Sequence, residues 1–332
     1  MTGQNQVALN LMELILTGPA GDGSGNAYGS TPCAGWVREF TSATVKVFRP
    51  GPAARSRAYF RMAQANGDLV IYFTGYTSMS DINTGTDPFP SAAPPSQTVD
   101  RYALLSVSAS ADATAREWMI AADDRTCIFC SRPQTTASTG RWYVAYFGEF
   151  FSYVPEDLYQ SCILAAINLT GESNSPFGLY VVAGATAFDL GAFGNRTGVY
   201  VNRNYDGAAS SIMGNYAFHA GVQPRQGNQY GAAIAGIFPA LNEADGRFWY
   251  THMPLCTEYT SPCVRGVLRG VWLSCSQIDY NADQDQFDVV LPDGTDATVE
   301  LLYTYGSTDQ SEPNTANKGN ILIQISGNFP SS

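Results

Sequence analysis

The sequence predicts an all-β, mainly antiparallel, sandwich-like fold with a short N-terminal helix and long irregular loops. Three observations predict it. Charged residues are only 14% of the 332, while aromatics reach 12% with 19 Tyr and 17 Phe, a balance suited to strands with large contact faces. Short β-branched and aromatic runs are separated by Gly, Pro, Asn and Asp turn signals. Helical periodicity is confined to one segment near the start.

That segment is Val7–Leu16, where Leu9, Met12 and Leu16 recur at helical spacing and Thr17-Gly18-Pro19 stops the helix. A Gly-rich link, Gly21 to Gly29, follows. Thr44 to Phe48 alternates polar and apolar residues as a half-buried strand does, and Pro50-Gly51-Pro52 ends it. Ala58 to Met62 and Leu69 to Phe73 flank Asn66-Gly67, a hairpin signal. Asp81 to Gln97 reads as a long exposed loop. Trp118 to Ala121 and Thr126 to Phe129 read as strands joined by Asp123-Asp124, and Trp142 to Phe147 as a further strand. Cys162 to Ile167 is apolar throughout and fits a buried strand or part of a helix. Gly184 to Gly198 and Gly207 to Gly236 carry few strand signals. Strands return at Phe248 to Tyr250, Val267 to Ser274, Phe287 to Leu291, Val299 to Tyr305 and Ile321 to Ile325, with a turn at Pro292-Asp293-Gly294. The expected organisation is a helix and Gly-rich arm over 1–30, a β-rich domain over 31–169, and a second β-rich region over 170–332 that could be continuous with the first.

The formal net charge of −11 repels phosphate backbones, which argues against nucleic acid as a partner. The apolar run at the start is too short to span a bilayer and lacks a basic region before it. Assembly in a cytoplasm is therefore expected. Seven cysteines cannot all pair within one chain, and free buried thiols are expected.

Few residues suggest chemistry. Cys127 and Cys130 form a CxxC, but strand residues three apart face opposite ways, so the two thiols should not share a metal. His252, Cys256, Cys263 and Cys275 are the one looser set of soft ligands, at spacings that match no standard zinc module; packing is the favoured reading. Asp123 and Asp124 look like a carboxylate pair but occupy a turn, where Asp is routine. Asp279, Asp283 and Asp285 resemble a calcium-loop fragment without its Gly and terminal Glu. His219 and His252 are the only histidines, and no nucleophile signature surrounds either. Trp36, Trp118, Trp142, Trp249 and Trp272 read as core residues before sugar platforms. No enzyme and no cofactor is expected.

Several local patterns, taken in order, carry a resemblance. They are Gly35-Trp36 with Phe40, Phe48-Arg49 and Tyr59-Phe60-Arg61, then Gly75 to Gly85 followed by Pro88-Phe89-Pro90. Ala113 to Trp118, Ala122 to Thr126, Phe147 to Phe150 and Arg265 to Trp272 follow. Over roughly residues 28–160, and again near 265–275, the chain resembles a family of tailed-bacteriophage virion structural proteins whose role is unassigned. The resemblance implies a particle component, a tail or baseplate subunit, with no catalytic residues. Its partners would be other virion proteins and copies of itself in a symmetric assembly. A receptor- or glycan-binding decoration that meets a host surface receptor is the alternative.

Overall fold

The computed structural model describes residues 4–65, 70–89, 102–107, 117–132, 143–168, 197–208, 216–217, 250–257, 263–274, 286–291, 293–302 and 321–329. The protein is mostly β, with one short N-terminal helix and antiparallel sheets. Helix α1 (Gln4–Thr17) runs slightly past both ends of the predicted segment. Ala8, Leu9, Met12 and Leu16 are fully buried along one side, the stripe their spacing requires. Gly18 ends the helix at φ +68°, its N–H donating to Leu14 O at 3.0 Å, a left-handed termination that favours glycine.

The Gly-rich link holds a small ladder of β1 (Asn26–Tyr28) and β2 (Thr31–Pro32). Four antiparallel strands follow: β3 (Val37–Thr41), β4 (Val45–Arg49), β5 (Tyr59–Ala65) and β6 (Val70–Tyr76). β5 and β6 pair antiparallel with Ala65 opposite Val70; the Asn66-Gly67 signal between them lies outside the described residues. β7 (Ser78–Met79) and β8 (Gly85–Thr86) form a miniature hairpin. Phe89 then returns to pair with Gly75 and is 2% exposed, so the predicted loop is folded back over its first part; residues 90–97 lie outside the described residues. β9 (Tyr102–Ser106) pairs with β6.

Next come β10 (Glu117–Ala122), β11 (Thr126–Arg132) and β12 (Tyr143–Glu149), a meander. β13 (Phe151–Ser152) follows at once, and then β14 (Ser161–Asn168), which settles the Cys162–Ile167 ambiguity in favour of a strand. β15 (Thr197–Val201) pairs with β14 and starts at the end of the Gly184–Gly198 stretch. The last elements are β16 (Tyr216–Ala217), β17 (Tyr250–Thr257), β18 (Cys263–Ser274), β19 (Gln286–Val290), β20 (Asp296–Leu302) and β21 (Ile321–Gln324). The β19–β20 turn carries Gly294 at φ +83°, and Asp293 Oδ1 accepts the Thr295 N–H at 3.0 Å, as the Pro-Asp-Gly signal implied. Phe248, Trp249 and, within the Gly207–Gly236 stretch, residues 209–215 and 218–236 lie outside the described residues.

The register explains the layering. Leu164 and Ala166 of β14 pair with β15 on one edge. On the other edge, Leu164 pairs with Tyr146 of β12, while Ala166 pairs with Leu104 of β9. The ten-stranded sheet therefore splits at β14 into two wings, and the wings fold face to face. Phe147 of β12 meets Phe73 of β6 at 5.5 Å, Phe60 of β5 at 5.8 Å and Trp36 at 5.7 Å between ring centroids. Tilted and edge-on pairs of this kind are the favoured aromatic arrangement. Helix α1 lays its apolar stripe against the same cluster.

The opposite faces of β11, β12 and β14 pack on the seven-stranded sheet of β13 and β16–β21. Ile128, Cys130, Val144, Tyr146, Cys162 and Leu164 join Leu268, Val271 and Ile323 there. Strands buried on both faces lose polar alternation, which is why Thr126–Cys130 and Tyr143–Phe147 read as continuous apolar runs. Gly148 makes the corner from β12 towards β13: its φ is +123°, and a Cβ there would stand 2.3 Å from Arg125 O. The β13–β18 ladder, with Phe151 opposite Val267, carries hydrogen bonds across position 170.

Candidate functional site

Two arginines of β18, Arg265 and Arg269, stand four apart in the sequence and reach the middle layer. Neither could be buried alone, because an unpaired guanidinium in an apolar core is very costly. Arg265 is fully buried, and so is its partner Asp157. Its Nε and Nη2 donate to the two Asp157 oxygens at 2.8 and 2.7 Å, the planar two-point match that Arg makes with a carboxylate. The remaining donors reach Arg203 O at 2.7 Å and Tyr159 O at 3.2 Å, and the guanidinium lies 5.2 Å from the Phe150 ring centroid. Asp157 also accepts from Ser152 Oγ at 2.7 Å and Tyr159 N at 2.9 Å. Burial works to raise the Asp157 pKa, but the Arg265 hydrogen bonds and charge outweigh it and hold the carboxyl below its ordinary range.

Arg265 thereby ties the loop 153–160 to the loop 202–208. Arg203 extends the tie to a third loop, 77–88: it pairs with Asp87, donates to Gly207 O at 2.9 Å, and lies 6.0 Å from the Tyr159 ring centroid. Thr77 Oγ1 donates to Asn202 Oδ1 at 2.8 Å, and Arg61 holds Ile82 O at 2.9 Å. Among the described residues, the non-glycine positions at positive φ are Asp87 (48°) and Glu156 (59°). Both lie in these loops, and such backbone persists only where its surroundings over-determine it.

Arg269 fastens the other end. Its Nη2 and Nη1 donate to Asp123 at 2.6 and 3.2 Å, and Nη1 also reaches Thr126 Oγ1 at 3.1 Å. Asp123 is the turn residue its position implied: Oδ1 accepts the N–H groups of Arg125 and Thr126 at 3.0 and 2.8 Å. Its backbone O accepts Trp36 Nε1 at 2.7 Å, and Asp124 O accepts Gly51 N at 2.7 Å. The Asp-Asp pair is thus a structural hub where four segments meet, with the Asp123 carboxylate taken up by Arg269 and the turn N–H groups. Glu149 lies alongside. One oxygen accepts the Ser56 N–H, while Oε2 is buried without a hydrogen-bond partner. Burial pushes its carboxyl pKa up, and Ser56, Gln160, Arg125 and Arg269 offset this only in part.

The remaining sequence candidates are placed as follows. Cys127 sits in the core between the wings and Cys130 in the core against the third layer. They face opposite ways, as the strand geometry required, and burial raises both thiol pKa values well above ordinary. His252 stacks on Trp272 at 4.0 Å between ring centroids, and burial lowers its pKa. The backbone puts Cys256 opposite Val264 and Cys263 opposite Thr257 at the far end of the β17–β18 hairpin from His252. The Cys256 and Cys263 side chains lie outside the described residues, as do Cys275, His219, Trp142, Trp249 and the Asp279–Asp285 segment. Among the described residues, no three His, Cys, Asp or Glu side chains gather in a metal-holding group. No helix there is long and apolar enough to cross a membrane. Trp36 and Trp272 are fully buried core residues.

Sequence reasoning quoted the Arg265–Trp272 stretch but missed its two ion pairs. Their acidic partners lie 108 and 146 positions away, and only the spacing of two arginines in an apolar strand pointed inward. The chain matches no protein-family model, and no curated protein matches it.

Proposed function

We propose that this chain is a structural subunit of a tailed-bacteriophage particle, in the tail or baseplate, acting through contacts with other virion proteins and copies of itself. The observation that carries this reading is the loop platform at one end of the layered body. Loops fastened by buried charge present Tyr153 (55% exposed), Leu158 (59%) and Tyr205 (46%) outward. Large apolar side chains displayed on rigid supports supply contact area at low entropic cost. The segments that carry the family resemblance also meet in space. Arg269 binds the Asp123 turn, Trp36 donates to that turn, and Glu149 N donates to Arg125 O at 2.9 Å. A body held by such cross-ties suits a component that must keep its shape within an assembly. Synthesis in a host bacterial cytoplasm followed by residence in the virion belongs to the same reading.

The test is to purify particles and look for the chain by mass spectrometry and by antibody labelling, with and without its gene. The reading expects stoichiometric recovery, and truncated or absent particles without the gene. Normal infectious particles lacking the chain would refute it. The same exposed tyrosines favour a second reading, a glycan- or receptor-binding decoration, which binding of the isolated protein to host cells or a glycan array would support.

A further inference from the structure

The charges around the loop platform define what it fits. Five acidic residues lie on the loops 77–88, 153–160 and 202–208: Asp81, Asp87, Glu156, Asp157 and Asp206, against one basic residue, Arg203. Two acids are neutralised within the fold, Asp87 by Arg203 and Asp157 by Arg265. Asp81, Glu156 and Asp206 are exposed, and none is ion-paired among the described residues. The tied loops therefore expose three large side chains, Tyr153, Leu158 and Tyr205, together with three acids, and Arg61 is the cation that reaches loop 77–88 from β5; apolar and charged groups displayed together suit a protein interface. Leu158 counts against a sugar platform, since an aliphatic side chain offers no flat ring for stacking.

We infer that this three-loop surface is the docking face for another polypeptide of the particle, one that presents Lys or Arg side chains together with apolar ones. The inference rests on the particle reading above and names the partner's chemistry. A second copy meeting through this same face would oppose acid to acid, so the partner surface is a different one. The opposed charges act within about a Debye length, ~8 Å at physiological salt. They steer and orient the contact, while the exposed Tyr153, Leu158 and Tyr205 supply most of its strength.

The test is incorporation into particles grown in a host whose copy of the gene is deleted and replaced. Three forms are compared: wild type, Leu158→Ser with Tyr205→Ser, and Glu156→Lys with Asp206→Lys. All substituted side chains are exposed, so purified variants should melt within a few degrees of wild type, which separates docking from folding. The expected result is at least tenfold less of the first variant in particles, and several-fold less of the second. Wild type present with both folded variants incorporated equally overturns the inference and leaves the particle reading intact. Normal incorporation with lost adsorption to host cells assigns the face to a host glycan or receptor and also overturns it. Wild type absent from particles overturns the particle reading and the inference with it.

Discussion

Removing Asp157 should be among the most damaging single changes to this fold. Asp157→Ala deletes four hydrogen bonds, from Arg265 Nε, Arg265 Nη2, Ser152 Oγ and Tyr159 N. It also strands a guanidinium that is fully buried. Breaking one side of a buried, hydrogen-bonded ion pair costs about 3 to 5 kcal/mol. At roughly 2.1 cal/mol/K per residue, unfolding all 332 residues as one unit has an entropy of about 0.7 kcal/mol/K. The melting temperature should then fall by about 4 to 7 °C. Arg265→Met should cost a similar amount, because it leaves a buried carboxylate and two backbone carbonyls without their donor. Asp157→Leu with Arg265→Met removes both charges, so its loss should be well below the sum of the single losses. The sign of the pH dependence follows from the lowered pKa of Asp157. The pair's contribution is complete above the ordinary carboxylate range and disappears as pH falls through the lowered native value. The gap between wild type and Asp157→Ala should therefore close in acid. Denaturation of the four proteins between pH 3 and pH 8 reads all of this. Single losses under 1 kcal/mol, or a double loss equal to their sum, would refute the reasoning.

Other perturbations give distinct signatures. Glu149 has the opposite sign from Asp157: its raised pKa means stability is greatest below the ordinary carboxylate value and is lost as pH rises through the raised native one. Glu149→Gln should accordingly raise the melting temperature at pH 8 and change it little at pH 4; equal effects at both would count against a buried, strained carboxylate. Gly148→Ala meets both a positive φ and a backbone oxygen 2.3 Å from its new Cβ, and should destabilise by about 2 kcal/mol or more, measured by urea unfolding. Phe147→Ala empties the contact between the wings and should cost about 3 to 5 kcal/mol; a loss below 1 kcal/mol would mean the wings do not close on it. Cys127, Cys130 and Cys162 are buried free thiols with raised pKa values. They should resist iodoacetamide in the native protein and react after denaturation, while half-buried Cys33 reacts before these three.

Much of the layering was legible locally. Leu9, Met12 and Leu16 place the helix because a 3.6-residue repeat has one apolar side to bury. The Cys127–Cys130 spacing on a strand forced the two thiols apart, and the Asp123-Asp124 pair declared a turn. What stayed hidden was non-local. Val37–Thr41 carries Arg and Glu within a strand, since β3 is only partly buried and tolerates both. Val199-Tyr200-Val201 is a β-branched and aromatic run too short, at the end of a Gly-rich stretch, to declare a strand; pairing along the edge of β14 makes it β15. The loop platform depends on Arg203 and Arg265 reaching loops from distant parts of the chain, and nothing in the spacing of those segments announces the meeting.

The most direct measurement is a density map of the intact particle at side-chain resolution. The account predicts this chain within the tail or baseplate, with Tyr153, Leu158 and Tyr205 buried against another polypeptide and Lys or Arg opposite Glu156 and Asp206. A particle without the chain, or one in which those loops face solvent, would contradict it.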